Sequence, residues 1–201
     1  SNTVANYNTA VGAYSAYTTS TGTQNVAMGY VALYNNSTGG NNVAIGYGAL
    51  DLANADNNTM VGHNAGTAVT TGTRNVGVGS SAGVAITTGN YNITVGTFAG
   101  DAITTGEENT AIGDAAMTTN TTASANTAVG SQALKLNTTG TGLCAIGRQA
   151  LKANTTANFN TAVGAEAMDT NTTGHSNTAV GYAVMDANTT GNYHTAVGRG
   201  A

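Results

Sequence analysis

Apolar residues recur along this chain at a fixed interval, in a short pattern that ends in glycine. The first complete copy is Asn8-Thr9-Ala10-Val11-Gly12, and it returns as Asn25-Val26-Ala27-Met28-Gly29. Successive copies are 17 residues apart, except for one 16-residue step between Gly46 and Gly62. Twelve copies at one period indicate a solenoid, in which each repeat packs only on its neighbours. We therefore treat residues 1–201 as one continuous array.

The apolar pattern predicts a short strand in each repeat, which we number from the Asn of the opening motif. Position four is apolar in every copy, and position two is mostly Thr or Val. Side chains alternate across a strand, so positions two and four share one face and the Ala at position three lies on the other. Because position four is never polar, we expect positions two and four to face the interior. The outward Ala column would then permit close approach by another copy of the chain.

Two corners and a second apolar segment complete each predicted coil. Position nine is usually Leu or Met, which predicts a second short inward-facing strand. A second turn reads Asn-Thr-Thr-Gly, in which Asn and Thr bond local backbone and Gly supplies the left-handed position. The glycine at position five suits a corner, because only glycine adopts positive φ or admits a neighbouring backbone without steric cost. These predicted structural corners are Gly12, Gly29, Gly46, Gly62, Gly79, Gly96, Gly113, Gly130, Gly147, Gly164, Gly181 and Gly198.

Three details of the repeat support this register. In three successive coils position nine becomes glycine while position twelve changes from Asn to Val or Ile, so volume lost at one position is regained at the other. The 16-residue coil should shorten a corner without shifting the strands, since a slip within a strand would invert its faces. Asn at position one should form a ladder of side-chain amides along the stack.

Composition narrows the class of function. The chain has 5 basic and 9 acidic residues, which argues against a nucleic-acid or anionic-membrane partner. No run approaches 18 apolar residues, so no membrane insertion is expected. The absence of proline suits a chain that is nearly all hydrogen-bond ladder. The one cysteine, Cys144, stands at position two and is predicted to be a small buried hydrophobe. The chain begins and ends part-way through a repeat, and we expect it to be a segment of a longer fibre.

The repeat resembles a known family of adhesins. Asn42-Val43-Ala44-Ile45-Gly46, followed by two free residues and Ala49, is similar to the head repeat of YadA-type trimeric autotransporter adhesins. Arrays of this kind also resemble those of phage and bacterial tail-fibre-like proteins. The resemblance implies a left-handed parallel β-roll, an all-β solenoid of about twelve coils with two short strands each. It further implies a homotrimer at a cell surface or on a virion, used for attachment.

No grouping of residues indicates catalysis, a metal or a cofactor. His63, His175 and His194 occupy three different repeat positions, so they do not form a metal ladder. Position ten holds Lys135 and Lys152 as well as four aspartates, and Lys152 should lie one coil from Asp169 as a surface ion pair. The aspartates are Asp51, Asp101, Asp169 and Asp186. We therefore expect no enzyme activity.

Two sets of residues are candidates for modification or contact. The second turn creates Asn-x-Thr sequons, which are glycosylation candidates if the protein is secreted by a cell that uses them. Exposed tyrosines can stack on sugar rings, although packing within turns or between chains would also explain them. The candidate glycosylation sites are Asn120, Asn137, Asn154, Asn171 and Asn188, and the candidate carbohydrate or partner contacts are Tyr14, Tyr17, Tyr30, Tyr34 and Tyr47, with further aromatics at position seventeen (Tyr7, Tyr91, Phe159 and Tyr193).

Three hypotheses for function follow. The first is an extracellular or virion fibre segment that acts as a spacer and attachment rod, with a cell-surface receptor or polysaccharide as its target. The second is a self-stacking extracellular filament subunit, with sugar on its repeated threonines. The third is ice binding, which we rank last because it needs outward threonines and position two is expected to face inward.

Overall fold

The computed structural model describes residues 5–201 as a single stack of coils. Each coil contributes one three-residue strand, and no helix occurs within these residues. All twelve strands form one parallel sheet in sequence order, which makes a β-solenoid of about eleven turns. The strands are β1 (Thr9–Val11), β2 (Val26–Met28), β3 (Val43–Ile45), β4 (Thr59–Val61), β5 (Val76–Val78), β6 (Ile93–Val95), β7 (Thr110–Ile112), β8 (Thr127–Val129), β9 (Cys144–Ile146), β10 (Thr161–Val163), β11 (Thr178–Val180) and β12 (Thr195–Val197).

The strands stack in register through the whole array. Each residue pairs with the one at the same repeat position in the next coil, as Thr161 does with Thr178. The short coil keeps this register, because Val43 pairs with Thr59 although only 16 residues separate them. The predicted period and the predicted confinement of the deletion to a corner are both confirmed.

The interior face of the strand is the Ala column, so our assignment of the two faces is wrong. Ala27, Ala44 and Ala145 at position three are fully buried. Val180 and Ile146 at position four are 38% and 40% exposed. Alternation along the strand was predicted correctly, but the face that packs inward carries the small side chain. The interior of each coil is narrow, and it must hold the strand, the position-eight Ala and a large side chain at position nine. An Ala at position three leaves room for that side chain.

Outside the three coils with glycine at position nine, most of the large core side chains come from position nine, as predicted. Within residues 5–201 the position-nine residues that are fully buried are Leu33, Leu50, Met117, Leu134, Leu151 and Met168. This segment is a run of turns and not a second strand. Its amides nevertheless bond to the next coil, as Leu33 N does to Ala49 O at 3.0 Å. Two strands per coil are therefore not observed, although a hydrogen-bond ladder follows this side of the coil as well.

The predicted exchange of volume in the middle coils is confirmed. A Cβ added to Gly83 would lie 2.7 Å from Ile86 Cδ1, and one added to Gly100 would lie 2.8 Å from Ile103 Cδ1. In the preceding coil, Met60 replaces the position-three Ala and fills the space beside Gly66, where an added Cβ would lie 2.7 Å from its Sδ. The branched side chain at position twelve thus fills the core space that the glycine at position nine leaves empty.

The position-five glycines form the predicted corners. Their φ angles lie between +127° and +145°. A Cβ on Gly12 would lie 2.7 Å from the carbonyl oxygen of Gly29 in the next coil, so the stacked backbones leave no room for a side chain. Positions seven, nine and seventeen also have positive φ in coil after coil, mostly without glycine; examples are Val31, Leu50 and Phe159.

Two Asn ladders lie in the interior, and the one at position twelve is interrupted in the middle coils, where that position holds Val or Ile. At position one, Asn75 N donates to Asn58 Oδ1 at 3.0 Å, and Asn75 Nδ2 donates to Gly89 O across its own coil at 2.8 Å. This ladder was predicted and is confirmed. At position twelve, Asn154 Nδ2 donates to Asn137 Oδ1 at 3.0 Å, which forms a second ladder that the sequence analysis did not predict.

Candidate functional site

One surface runs the whole length of the array, namely the outward side of the sheet, formed by positions two and four. We call it the strand face. Twelve strands at about 4.8 Å spacing make it roughly 53 Å long. It carries Val, Ile, Met, Thr and one Cys but no charged residue, and its position-four members are Val11, Met28, Ile45, Val61, Val78, Val95, Ile112, Val129, Ile146, Val163, Val180 and Val197. The position-four column is apolar in every coil, and extended exposed apolar surface marks interaction sites in soluble proteins.

Cys144 lies on the strand face and not in the core. Its side chain is partly exposed and its thiol is free. The prediction of a buried cysteine is wrong for the same reason as the inward assignment of position two, because this column points outward. The rate at which this thiol reacts with a reagent consequently shows whether the strand face is covered.

The five candidate tyrosines come together as one aromatic ridge in the first coils. Tyr17 stacks on Tyr34 with ring centroids 5.3 Å apart and an interplanar angle of 4°. Tyr30 stacks on Tyr47 at 5.5 Å, and Tyr14 packs edge-on against Tyr30 at 6.0 Å. The rings therefore pack on one another along the stack while four of them stay about half exposed to solvent, namely Tyr14, Tyr17, Tyr30 and Tyr47.

The position-seventeen aromatics lie on another corner and are spread along the array. Tyr7, Phe159 and Tyr193 are 86%, 66% and 77% exposed. Phe159 borders an open groove of about 290 Å³ between two coils. The lining residues are Thr156, Ala157, Asn158, Phe159, Thr173 and His175.

The candidate glycosylation sites lie inside the stack. Asn120, Asn137, Asn154 and Asn171 are fully buried. Their side chains hold the second turn; Asn137 Nδ2, for example, donates to Gly140 O at 3.0 Å. Asn188, near the end of the array, is partly exposed but bonded in the same way. The folded array therefore does not present the four buried amides for attachment of a glycan.

The ionisable residues do not converge on one site. Burial raises the pKa of Asp51, Asp101 and Asp169 in the position-ten column. The ion pair formed within residues 5–201 joins Arg148 to Glu166, and the predicted pair of Lys152 with Asp169 is not seen there.

The histidines serve separate local contacts. His63 stacks on Tyr47 at 5.2 Å, His175 meets Tyr193 edge-on at 5.1 Å, and His194 N donates to Asn177 Oδ1. No group of three His, Cys, Asp or Glu side chains suited to a metal ion occurs among the described residues. The same part of the chain contains no helix long and apolar enough to cross a membrane.

Comparisons with known proteins assign no family to this chain. No family model, no curated protein and no solved structure matches the chain.

Proposed function

We propose that this chain is a segment of an extracellular or virion fibre, in which it serves as a spacer and attachment rod. The observation that carries the proposal is the strand face, an uncharged strip along one side of a regular stack of coils. In the assembled fibre this face packs against identical faces of other copies. The Ala column that the sequence predicted to face a partner is buried, and the outward Val and Ile column is the contact surface instead.

The dimensions of the strand face suit a permanent contact between chains. Two columns of side chains on a strand span roughly 12 to 15 Å. A strip of that width and about 53 Å long offers about 650 to 800 Å². A standard protein interface buries about 800 Å² on each partner, and long-lived homo-oligomers have more apolar ones. A homotrimer with a left-handed coil, as in the adhesin heads that the repeat resembles, is the assembly we propose.

The oligomeric state tests this proposal directly. Light scattering should give a trimer for the unchanged chain. Ile146→Lys should reduce the trimer fraction at least tenfold, since it places a charge in the centre of the proposed interface. Leu136→Lys is the matched control, because Leu136 is 41% exposed against 40% for Ile146 but lies on another side of the coil. It should leave the trimer intact.

Reactivity of the native thiol gives a second measurement. Cys144 should react slowly with a thiol reagent in the trimer and rapidly in the Ile146→Lys variant. A monomeric unchanged chain with a fast-reacting Cys144 would overturn the trimer.

Ice binding is a second candidate, because the structure removes the objection to it. Position two faces outward, and seven coils carry threonine there, at Thr9, Thr59, Thr110, Thr127, Thr161, Thr178 and Thr195. A regular outward array of threonine methyl and hydroxyl groups is the feature that an ice-binding surface needs. Thermal hysteresis by a monomeric chain, lost in Thr161→Lys, would favour this function over the fibre. A trimer without hysteresis would exclude it.

A further inference from the structure

Phe159 is a largely exposed aromatic ring beside an open groove. It is 66% exposed, although it lies between β9 and β10, well inside the array. In the preceding coil Gly142 occupies the same column, and a Cβ there would lie 2.8 Å from Phe159 Cδ1. The ring therefore occupies the space that a side chain at position 142 would need. In the following coil the column holds the small Ser176, and the groove opens on that side.

Polar groups surround the open side of the ring. Asn158 Oδ1 accepts bonds from Thr141 N at 2.7 Å and Thr141 Oγ1 at 3.2 Å, which fixes the amide. His175 is held by its edge contact with Tyr193 and by Ser176 Oγ, 3.3 Å from Nδ1. Asn158 Nδ2 and His175 Nε2 make no bond within residues 5–201. With the Thr156 and Thr173 hydroxyls, they line the groove.

At the corresponding corner, beside Tyr91, the polar groups around the ring are bonded within the chain, and we call this corner closed. There Asn90 Nδ2 donates to Glu107 Oε1 at 2.8 Å, and Arg74 Nη1 donates to the Tyr91 hydroxyl at 2.6 Å. The Arg74 guanidinium also lies 5.3 Å from the centre of the ring. The same Asn-aromatic pair is thus satisfied within the chain at Tyr91 and left open at Phe159.

We propose that the groove beside Phe159 binds a neutral pyranose ring, and this inference rests on the attachment role proposed above. An aromatic face is electron-rich and attracts the polarised C–H groups on the apolar side of a sugar. The sugar hydroxyls would meet the Asn158 amide, the His175 imidazole and the two threonines, as in other sites with a few polar groups around an apolar platform. No carboxylate, lysine or arginine lines the groove, and the chain carries a net charge of −4, so an acidic sugar is disfavoured.

Saturation-transfer NMR on the full chain tests the site. The probes are the methyl glycosides of glucose, galactose, mannose and N-acetylglucosamine, with that of sialic acid as the charged comparison. At least one neutral glycoside should receive saturation, strongest on the protons of one ring face, and the sialoside should receive none. A single sugar ring of this size should bind with a dissociation constant of about 1 mM.

Two alanine variants separate recognition from folding. Phe159→Ala should weaken binding at least about fivefold, because the stacking contact is lost. Position seventeen already holds Ala125 and Gly142, so the variant fits the fold. Tyr91→Ala removes an aromatic from the closed corner and should leave binding unchanged.

Absence of saturation for every neutral glycoside, or full binding by Phe159→Ala, would overturn the site. Neither result would affect the trimer measurement, since Phe159 lies outside the strand face. Failure of the sugar site and failure of the fibre assembly are therefore distinguishable.

Discussion

The residue that most constrains this fold is the glycine at position five. Its positive φ excludes ordinary side chains, and the carbonyl of the glycine in the next coil occupies the space where a Cβ would be. Two separate physical requirements therefore coincide at one residue type. In the last coil only the first requirement applies. Gly198 keeps a φ of +133°, but an added Cβ would meet nothing closer than 4.0 Å.

Gly147→Ala should destabilise the array through both requirements. Its φ is +134°, and an added Cβ would lie 2.5 Å from the Gly164 carbonyl carbon. We expect a loss of at least about 3 kcal/mol in the free energy of unfolding, since strained φ alone costs about 1 to 3 kcal/mol. Chemical denaturation with circular dichroism measures it. Gly198→Ala carries the strain without the clash and should lose about 1 to 3 kcal/mol at most. Equal losses in the two variants would show that stacking does not matter.

At the level of single residues, the sequence predicted the glycine corners but not the direction in which the strand faces. A three-residue strand gives one alternation, which separates position three from positions two and four without saying which side is the core. Hydrophobicity favoured Val over Ala, whereas the thin interior selects the smaller side chain. A usable signal was present: the position-three exceptions Met60, Gly77 and Thr94 fall in the three coils whose position nine is glycine. Coupled changes of volume place position three in the same core as position nine.

The element that shows how the coil tolerates variation is the corner of the 16-residue coil. In ordinary coils three consecutive amides of this corner converge on one backbone carbonyl of the next coil, as Thr70, Thr71 and Gly72 do on Thr87 O. Where a residue is missing, the side chain of Asn54 takes over. Its Oδ1 accepts from Ser37 N at 3.0 Å and from Thr38 N at 2.9 Å. A side-chain amide thus replaces the backbone carbonyl that the deletion removed.

Asn54→Ala should loosen this corner without shifting the strands. The amides of Ser37 and Thr38 would lose their partner, at a cost of about 1 to 2 kcal/mol for a site open to water. Hydrogen exchange should speed up at these two amides and stay unchanged at Val43 in the neighbouring strand. Asn54→Asp keeps an acceptor oxygen and should restore most of the protection. Unchanged exchange in Asn54→Ala would mean that the side-chain bonds contribute nothing.

The candidate sites were harder to predict from the sequence than the strands and corners. Strands, period and corners follow from a repeated local pattern, which the sequence displays directly. The groove at Phe159 depends on which residues lie one coil away at positions sixteen and seventeen, namely Gly142, Ser176 and His175. Position-seventeen aromatics were identified, but the contrast with Tyr91 comes from side-chain partners that no periodicity reveals. The buried state of the sequon asparagines was missed because their ladder was not predicted.

The whole molecule is held by an interior that is part apolar and part amide. A spine of Ala, Leu and Met runs beside two buried Asn ladders, and few ionised groups contribute to it. One ion pair, Arg148 with Glu166, bridges neighbouring coils near the surface, where such pairs contribute about 1 kcal/mol or less. The stability of the stack should therefore depend weakly on salt, and its pH dependence should follow the partly buried aspartates of position ten.

The raised pKa values of those aspartates predict that the array becomes more stable on mild acidification. Desolvation raises the pKa of Asp51, Asp101 and Asp169 above the ordinary value of 3.8, which the unfolded chain keeps. A raised pKa means that the folded state binds protons more readily than the unfolded state. The resulting stability is fully present below the unfolded pKa and is lost as pH rises through the folded pKa values. The thermal midpoint should accordingly be higher near pH 4 than at pH 7.

Asp101→Asn tests the contribution of one of these aspartates to the slope. One Asp101 carboxylate oxygen is buried and has no hydrogen-bond partner within residues 5–201, so its ionised form is poorly solvated. The uncharged amide should raise the midpoint at pH 7 by up to about 3 °C and flatten the profile between pH 7 and pH 4. Calorimetric scans of both chains at the two pH values provide the measurement. A lower thermal midpoint for the unchanged chain near pH 4 than at pH 7 would contradict this prediction, because carboxylates held in their ionised form, such as Glu166 beside Arg148, would then dominate.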